Sequence, residues 1–177
     1  MARGDNITLS TLRATVHLGA HADAPSHYGR SAPTIEQRPL NLYWGTCQVI
    51  HVKVTRRQRV STAALPTDIR AERILIATAT YPDPTSFNED FAALAPELVD
   101  FLCDRGVRLV GIDTPSVDLF DSKDLPAHNR FLAHDMAILE GLVLDGVPDG
   151  LYELCAIPLK LVGFDASPVR ALLRTLP

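Results

Sequence analysis

No Cys-x-x-Cys pair occurs in this chain; Cys47, Cys103 and Cys155 stand far apart among apolar residues, which points to free buried thiols in a reducing compartment. No apolar run of membrane-spanning length is present, and the first twenty residues hold no signal-peptide core, so a soluble cytoplasmic protein without a membrane partner is expected. Basic surplus is lacking too: a net charge of −4 argues against a nucleic-acid partner. The one basic cluster, Arg56-Arg57-Gln58-Arg59, follows a strand pattern and precedes a Ser-Thr turn, and reads as a solvated loop. A Gly-x-Ser-x-Gly elbow is absent, which removes support for a nucleophilic serine. Without internal repeats, low-complexity tracts or a long linker, residues 1–177 read as one domain. Its 46% hydrophobic and 21% charged residues suffice for a real core.

What is present is concentrated. Three of the six histidines fall within the eleven positions His17–His27, together with Asp23. Imidazole nitrogens suit borderline metals, and a carboxylate can bridge two ions, so the stretch suits a metal site, an acid–base site, or both. A histidine-rich surface loop is the alternative. Gly19 and Pro25 exclude a continuous helix. Leu12, Ala14 and Val16 alternate with polar residues, so a strand is expected to end near His17, with a turn through Gly19-Ala20. His21 and Asp23, two apart, share a face in extended backbone.

Further along, Tyr28–Leu40 reads as a loop and Cys47–Val54 as a strand. His51, alone within it, reads as a packed or half-exposed residue rather than a ligand. Ile74–Thr80 is a second strand. Pro96 and Glu97 suit a helix start, Leu98, Phe101 and Leu102 share a face, and Gly106 is a natural stop. Val107–Ile112 then reads as a buried strand, and helix–glycine–strand is an α/β signature. Asp113 closes that strand as either a capping residue or a site residue. Pro126 opens another helix with His128 in its first turn. Glu140, twelve residues on, would lie about 120° around a straight helix. The helix is therefore expected to end near His134 or Asp135, with Gly141 allowing a bend beyond Glu140. Val147–Gly150 is a turn, Tyr152–Leu161 a strand, and Val169, Ala171 and Leu173 alternate like a closing strand. The expectation is a single mixed α/β domain: a central, mostly strand-built layer with a few flanking helices.

The motif His-x-Gly-Ala-His-x-Asp-Ala-Pro-x-His resembles the metal motif of the cyclase-like hydrolase superfamily, which includes bacterial kynurenine formamidases and isatin hydrolases. The resemblance continues through Phe87–Phe91 with Ala95-Pro96-Glu97, Gly111–Ser116, Ile138–Leu142, Tyr152-Glu153-Leu154 with Pro158-Leu159-Lys160, and Asp165–Ala171. Gly-Ile-Asp-Thr-Pro-Ser, Ala-Ile-Leu-Glu-Gly-Leu-Val-Leu-Asp and Asp-Ala-Ser-Pro-Val-Arg-Ala are most similar to the kynurenine formamidase branch. The resemblance implies a swivelling-type β/β/α fold with a mixed central sheet, assembled as a homodimer or tetramer, with an N-terminal segment shorter than the family pattern. It implies two divalent ions held by His17, His21, Asp23, His128 and Glu140, with His27 as the catalytic histidine. Asp23 is the best candidate for a bridging carboxylate, with Glu140 next; zinc fits the nitrogen-rich set, and manganese is the alternative. The implied activity is hydrolysis of N-formyl-L-kynurenine, a small-molecule substrate, to L-kynurenine and formate in tryptophan degradation. A cyclic-amide hydrolase of the isatin type and a non-catalytic metal-binding module are the other readings.

Overall fold

The computed structural model describes residues 6–176. Ten strands, two α-helices and several short 3-10 turns follow one another. The strands are β1 (His21–Asp23), β2 (Trp44–His51), β3 (Arg59–Val60), β4 (Arg73–Ala77), β5 (Ala93–Leu94), β6 (Leu109–Ile112), β7 (Ala137–Glu140), β8 (Gly150–Cys155), β9 (Ala166–Pro168) and β10 (Leu172–Thr175). The helices are α1 (Pro96–Cys103) and α2 (Pro126–Ala133). Eight strands form one sheet in the order β10-β8-β2-β4-β6-β7-β1-β9, and β3 pairs with β5 apart from it. The heart, β2-β4-β6-β7, is parallel, while the strands on either side are antiparallel. This is the mixed central sheet with flanking helices that the sequence implies.

Every residue of β4, β6 and β7 is buried, because both faces of a parallel sheet are covered and its strands can be apolar throughout. Period two divides them. Ile74, Ile76, Val110, Ile112 and Ile138 meet Leu98, Leu102 and Phe131 of the helices, and Leu75, Ala77 and Leu139 pack on the other side with Leu42, Leu142 and Leu154. The two edges of the sheet, β9 and β10, are consecutive in sequence. The step from Pro168 to Leu172 spans at most about 14 Å, so the sheet curls until its edges nearly meet. The second apolar layer fills the inside of that curl. No helix among the described residues is long and apolar enough to cross a membrane.

Three strand expectations change. Residues 12–16 form no strand, and Leu12 is 86% exposed. Alternation is a local signal, whereas a strand needs a partner, and β1 forms instead where β7 and β9 offer one on each side. The strand after Tyr152 begins at Gly150 and stops at Cys155, short of Pro158. The closing strand is two strands, one at each edge of the sheet. Cys47 is buried, but Cys103 and Cys155 are half-buried; all three are free.

Candidate metal centre

β1 supplies the base of the site. His21 and Asp23 point to one side of it, while Ala22 between them is buried in the inner layer. The β1–β7 register sets His21 opposite Glu140. Pro25 opens a 3-10 turn that carries His27 back toward β1, and the turn at Gly19 brings His17 from the other side. α2 ends at Ala133, as the angular separation of His128 and Glu140 requires, and leaves His128 in its first turn. His17, His21, Asp23, His27, His128 and Glu140 therefore converge from β1 and its flanking turns, α2 and β7.

Asp23 is the hub. Its Oδ1 lies 3.2 Å from Nδ1 of His17 and 3.4 Å from Nε2 of His21, and its Oδ2 lies 3.6 Å from Nε2 of His128. Glu140 lies 3.2 Å from Nε2 of His21 and 3.7 Å from Nε2 of His128. Burial opposes charge on His21, yet Asp23 and Glu140 beside it outweigh burial and lift it to about 10. His128, likewise buried, is lifted to about 10 by Asp118, Asp23 and Glu140. Burial would raise the Asp23 carboxyl, but His128, His17 and His21 hold it well below its ordinary range.

This donor set fits a divalent cation. Nε2 of His21 and both carboxylate oxygens of Asp23 are buried without a hydrogen-bond partner, an arrangement that is costly unless something positive satisfies it. Two groups of donor atoms lie within 4.8 Å of one another, His17–Asp23–His27 and His21–Asp23–Glu140, and Asp23 belongs to both.

Each imidazole expected as a ligand also has an outer partner on its second nitrogen, the arrangement that fixes ring orientation in metal sites. Nε2 of His17 contacts Asp165 at 3.1 Å, Nδ1 of His21 contacts the Gly19 carbonyl at 2.8 Å, and Nδ1 of His128 contacts Asp118 at 2.8 Å. Glu140 accepts from the Val117 N–H at 2.7 Å. A Cβ on Gly141 would collide with the Gly19 carbonyl oxygen, so the residue after Glu140 must be glycine for that carbonyl to reach His21.

Sequence reasoning gave no role to Asp118 or Asp165. Asp165 opens one of the family-like segments, which was a signal; nothing local singles out Asp118. Arg59, read as solvated, is half-buried and donates to Asp118 at 2.7 Å, so it holds the carboxylate that holds His128. Asp113 resolves as a structural clamp: it accepts from the N–H and hydroxyl of Thr78 and from the N–H of Ala79, whose φ is +54°. His51 lies at the exposed end of β2 against Asp149, away from the cluster.

Residues 4–119 match the model of the Cyclase family. Among solved structures, one described as a potential metal-dependent hydrolase with cyclase activity shares 33% identity over 93% of this chain and 82% of its own, with a TM-score of 0.83. A predicted metal-dependent hydrolase from Bacillus stearothermophilus shares 32% identity over 95% of this chain and 82% of its own, with a TM-score of 0.79. Isatin hydrolase A from Labrenzia aggregata has the same fold at 24% identity, covering 89% of this chain and 72% of its own, with a TM-score of 0.72.

Proposed function

The chain belongs to the Cyclase family, and from that premise we propose that it is a metal-dependent amidohydrolase acting on N-formyl-L-kynurenine. The observation that carries the metal reading is the sharing of Asp23 between two donor groups, with its buried oxygens free of hydrogen bonds. His17, His21, Asp23, His128 and Glu140 would hold two divalent ions with Asp23 between them; zinc suits the imidazoles, with manganese the alternative. Such ions supply Lewis acidity, acidifying water toward neutrality and polarising a carbonyl. The formamidase substrate rests on the family-like segments around Asp113, Glu140 and Asp165.

The protein's own part is orientation and proton movement. Asp118, the Gly19 carbonyl and Asp165 set the direction of the three imidazoles. His27 is 37% exposed at the rim and within reach of Asp23, where it can exchange protons with solvent. In hydrolysis of a formyl anilide, water adds to the formyl carbon and gives up a proton, the C–N bond breaks, and the leaving nitrogen gains a proton. His27 takes the first proton and returns it to the nitrogen, so that the arylamine departs neutral beside formic acid, which then releases its own proton to solvent as formate.

Isatin turnover is the second reading, since a neighbour of the same fold carries that name and a lactam carbonyl needs the same chemistry. Turnover of N-formylkynurenine and of isatin by the metal-loaded protein tests both. The expected result is formate release that stops on chelation and returns with zinc or manganese. Turnover of isatin alone replaces the substrate, and turnover of neither overturns the enzyme reading.

A further inference from the structure

We infer that Asp165 is a positioning residue whose single carboxylate oxygen fixes the tautomers of two imidazoles in opposite senses. Oδ2 of Asp165 lies 3.1 Å from Nε2 of His17 and 3.2 Å from Nδ1 of His27. An ionised carboxylate only accepts hydrogen bonds, so both nitrogens must donate. A neutral imidazole carries one N–H. His17 therefore keeps its lone pair on Nδ1, the atom 3.2 Å from Asp23, and His27 keeps its lone pair on Nε2. One group thus prepares a ligand nitrogen on one ring and a basic nitrogen on the other. The two rings are neighbours, with centroids 4.2 Å apart.

The carboxylate can do this because its backbone is pinned. The Asp165 carbonyl accepts from the Ala24 N–H at 2.9 Å, the Phe164 carbonyl accepts from the Ile35 N–H at 3.0 Å, and Ala166 is in register with Asp23. The Asp165 side chain itself is 46% exposed and holds no core element together. Beyond its own backbone, its side-chain hydrogen-bond partners are the two imidazoles.

The role of the His27 lone pair rests on the proton-transfer function proposed above, but the tautomers can be read without it. In zinc-loaded protein at mildly alkaline pH, 15N NMR of the ring nitrogens is expected to show the His27 proton on Nδ1. Asp165→Ala should redistribute that proton between Nδ1 and Nε2, weaken metal retention in a competition titration, and lower kcat about 10–100-fold with KM essentially unchanged. Asp165→Asn, which keeps an acceptor oxygen in place, should recover part of each loss. A wild-type His27 proton on Nε2, or an Asp165→Ala variant with unchanged tautomer and kcat, overturns the inference. Should the wild type hydrolyse no amide, the functional reading fails while the NMR and metal titration still decide the role of Asp165. The wild-type spectrum needs no variant, so a poorly folded substitution leaves the test intact.

Discussion

Single residues divide here by how far their partners lie along the chain. His17, His21, Asp23 and His27 were legible because one motif contains them, and His128 and Glu140 became legible through the resemblance. Asp23→Ala removes the group common to both donor sets, so loss of bound metal together with activity is expected by metal analysis and formamidase assay. Retention of the wild-type metal content would end the bridging role proposed for it. His27→Ala is expected to keep the metals and the fold while kcat falls by about 10²–10⁴. An ester analogue, with a better leaving group, should suffer less. Because His27 also stands in one donor group, metal loss as severe as in His21→Ala would make it a ligand instead. Asp118 was not legible, since a carboxylate that orients a histidine leaves no mark on its own neighbours in sequence, and Asp165 was marked only by the family-like segment it opens. Arg59 was misread for the same reason: its partner is 59 positions away.

At the level of elements, the helices and the strands β2, β4, β6 and β8 were readable, and the strands near the motif and at the closing edges were not. Proline at the start, an apolar face and a following glycine are local features, and α1 lies where they put it. The end of α2 was legible from an angle, because Glu140 could join His128 only if the helix stopped first. Strand pairing is not local, so an alternating run at residues 12–16 stayed unpaired while three short residues became β1. The junction of β7 with the turn at Gly19 is the most demanding packing contact of the site. Gly141 has φ +64° and lies against the Gly19 carbonyl. Gly141→Ala is expected to cost about 1–3 kcal/mol in denaturant unfolding and to weaken metal retention by pushing that carbonyl off His21. A variant with wild-type stability would show that the turn yields freely.

For the whole molecule, two expectations concern assembly and protons. We expect a homo-oligomer. Leu9 and Leu12 are 85% and 86% exposed on a segment without a strand partner among the described residues, and light scattering should report a dimer or tetramer at micromolar concentration. A monomer would contradict this. Chelator-stripped protein should lose stability as pH rises. His21 and His128 sit at about 10 in the fold, against about 6.5 when unfolded, so the folded chain holds more protons in that window. Their contribution is fully present below about 6.5 and lost as pH climbs through about 10. A thermal midpoint that falls across this range in stripped protein, and falls less once metal is restored, is the expected result; a flat profile in stripped protein would refute it. The position of β1 has a last consequence, for the nascent chain. It lies between β7 and β9, and its partners Glu140 and Pro168 come far later than His21. With about 150 residues between the first and last of these, made at about 5–20 per second, the histidine motif leaves the ribosome about 7–30 s before both neighbours exist. Through that interval it is an unpaired stretch of ligands, open to any cation or chaperone in its surroundings.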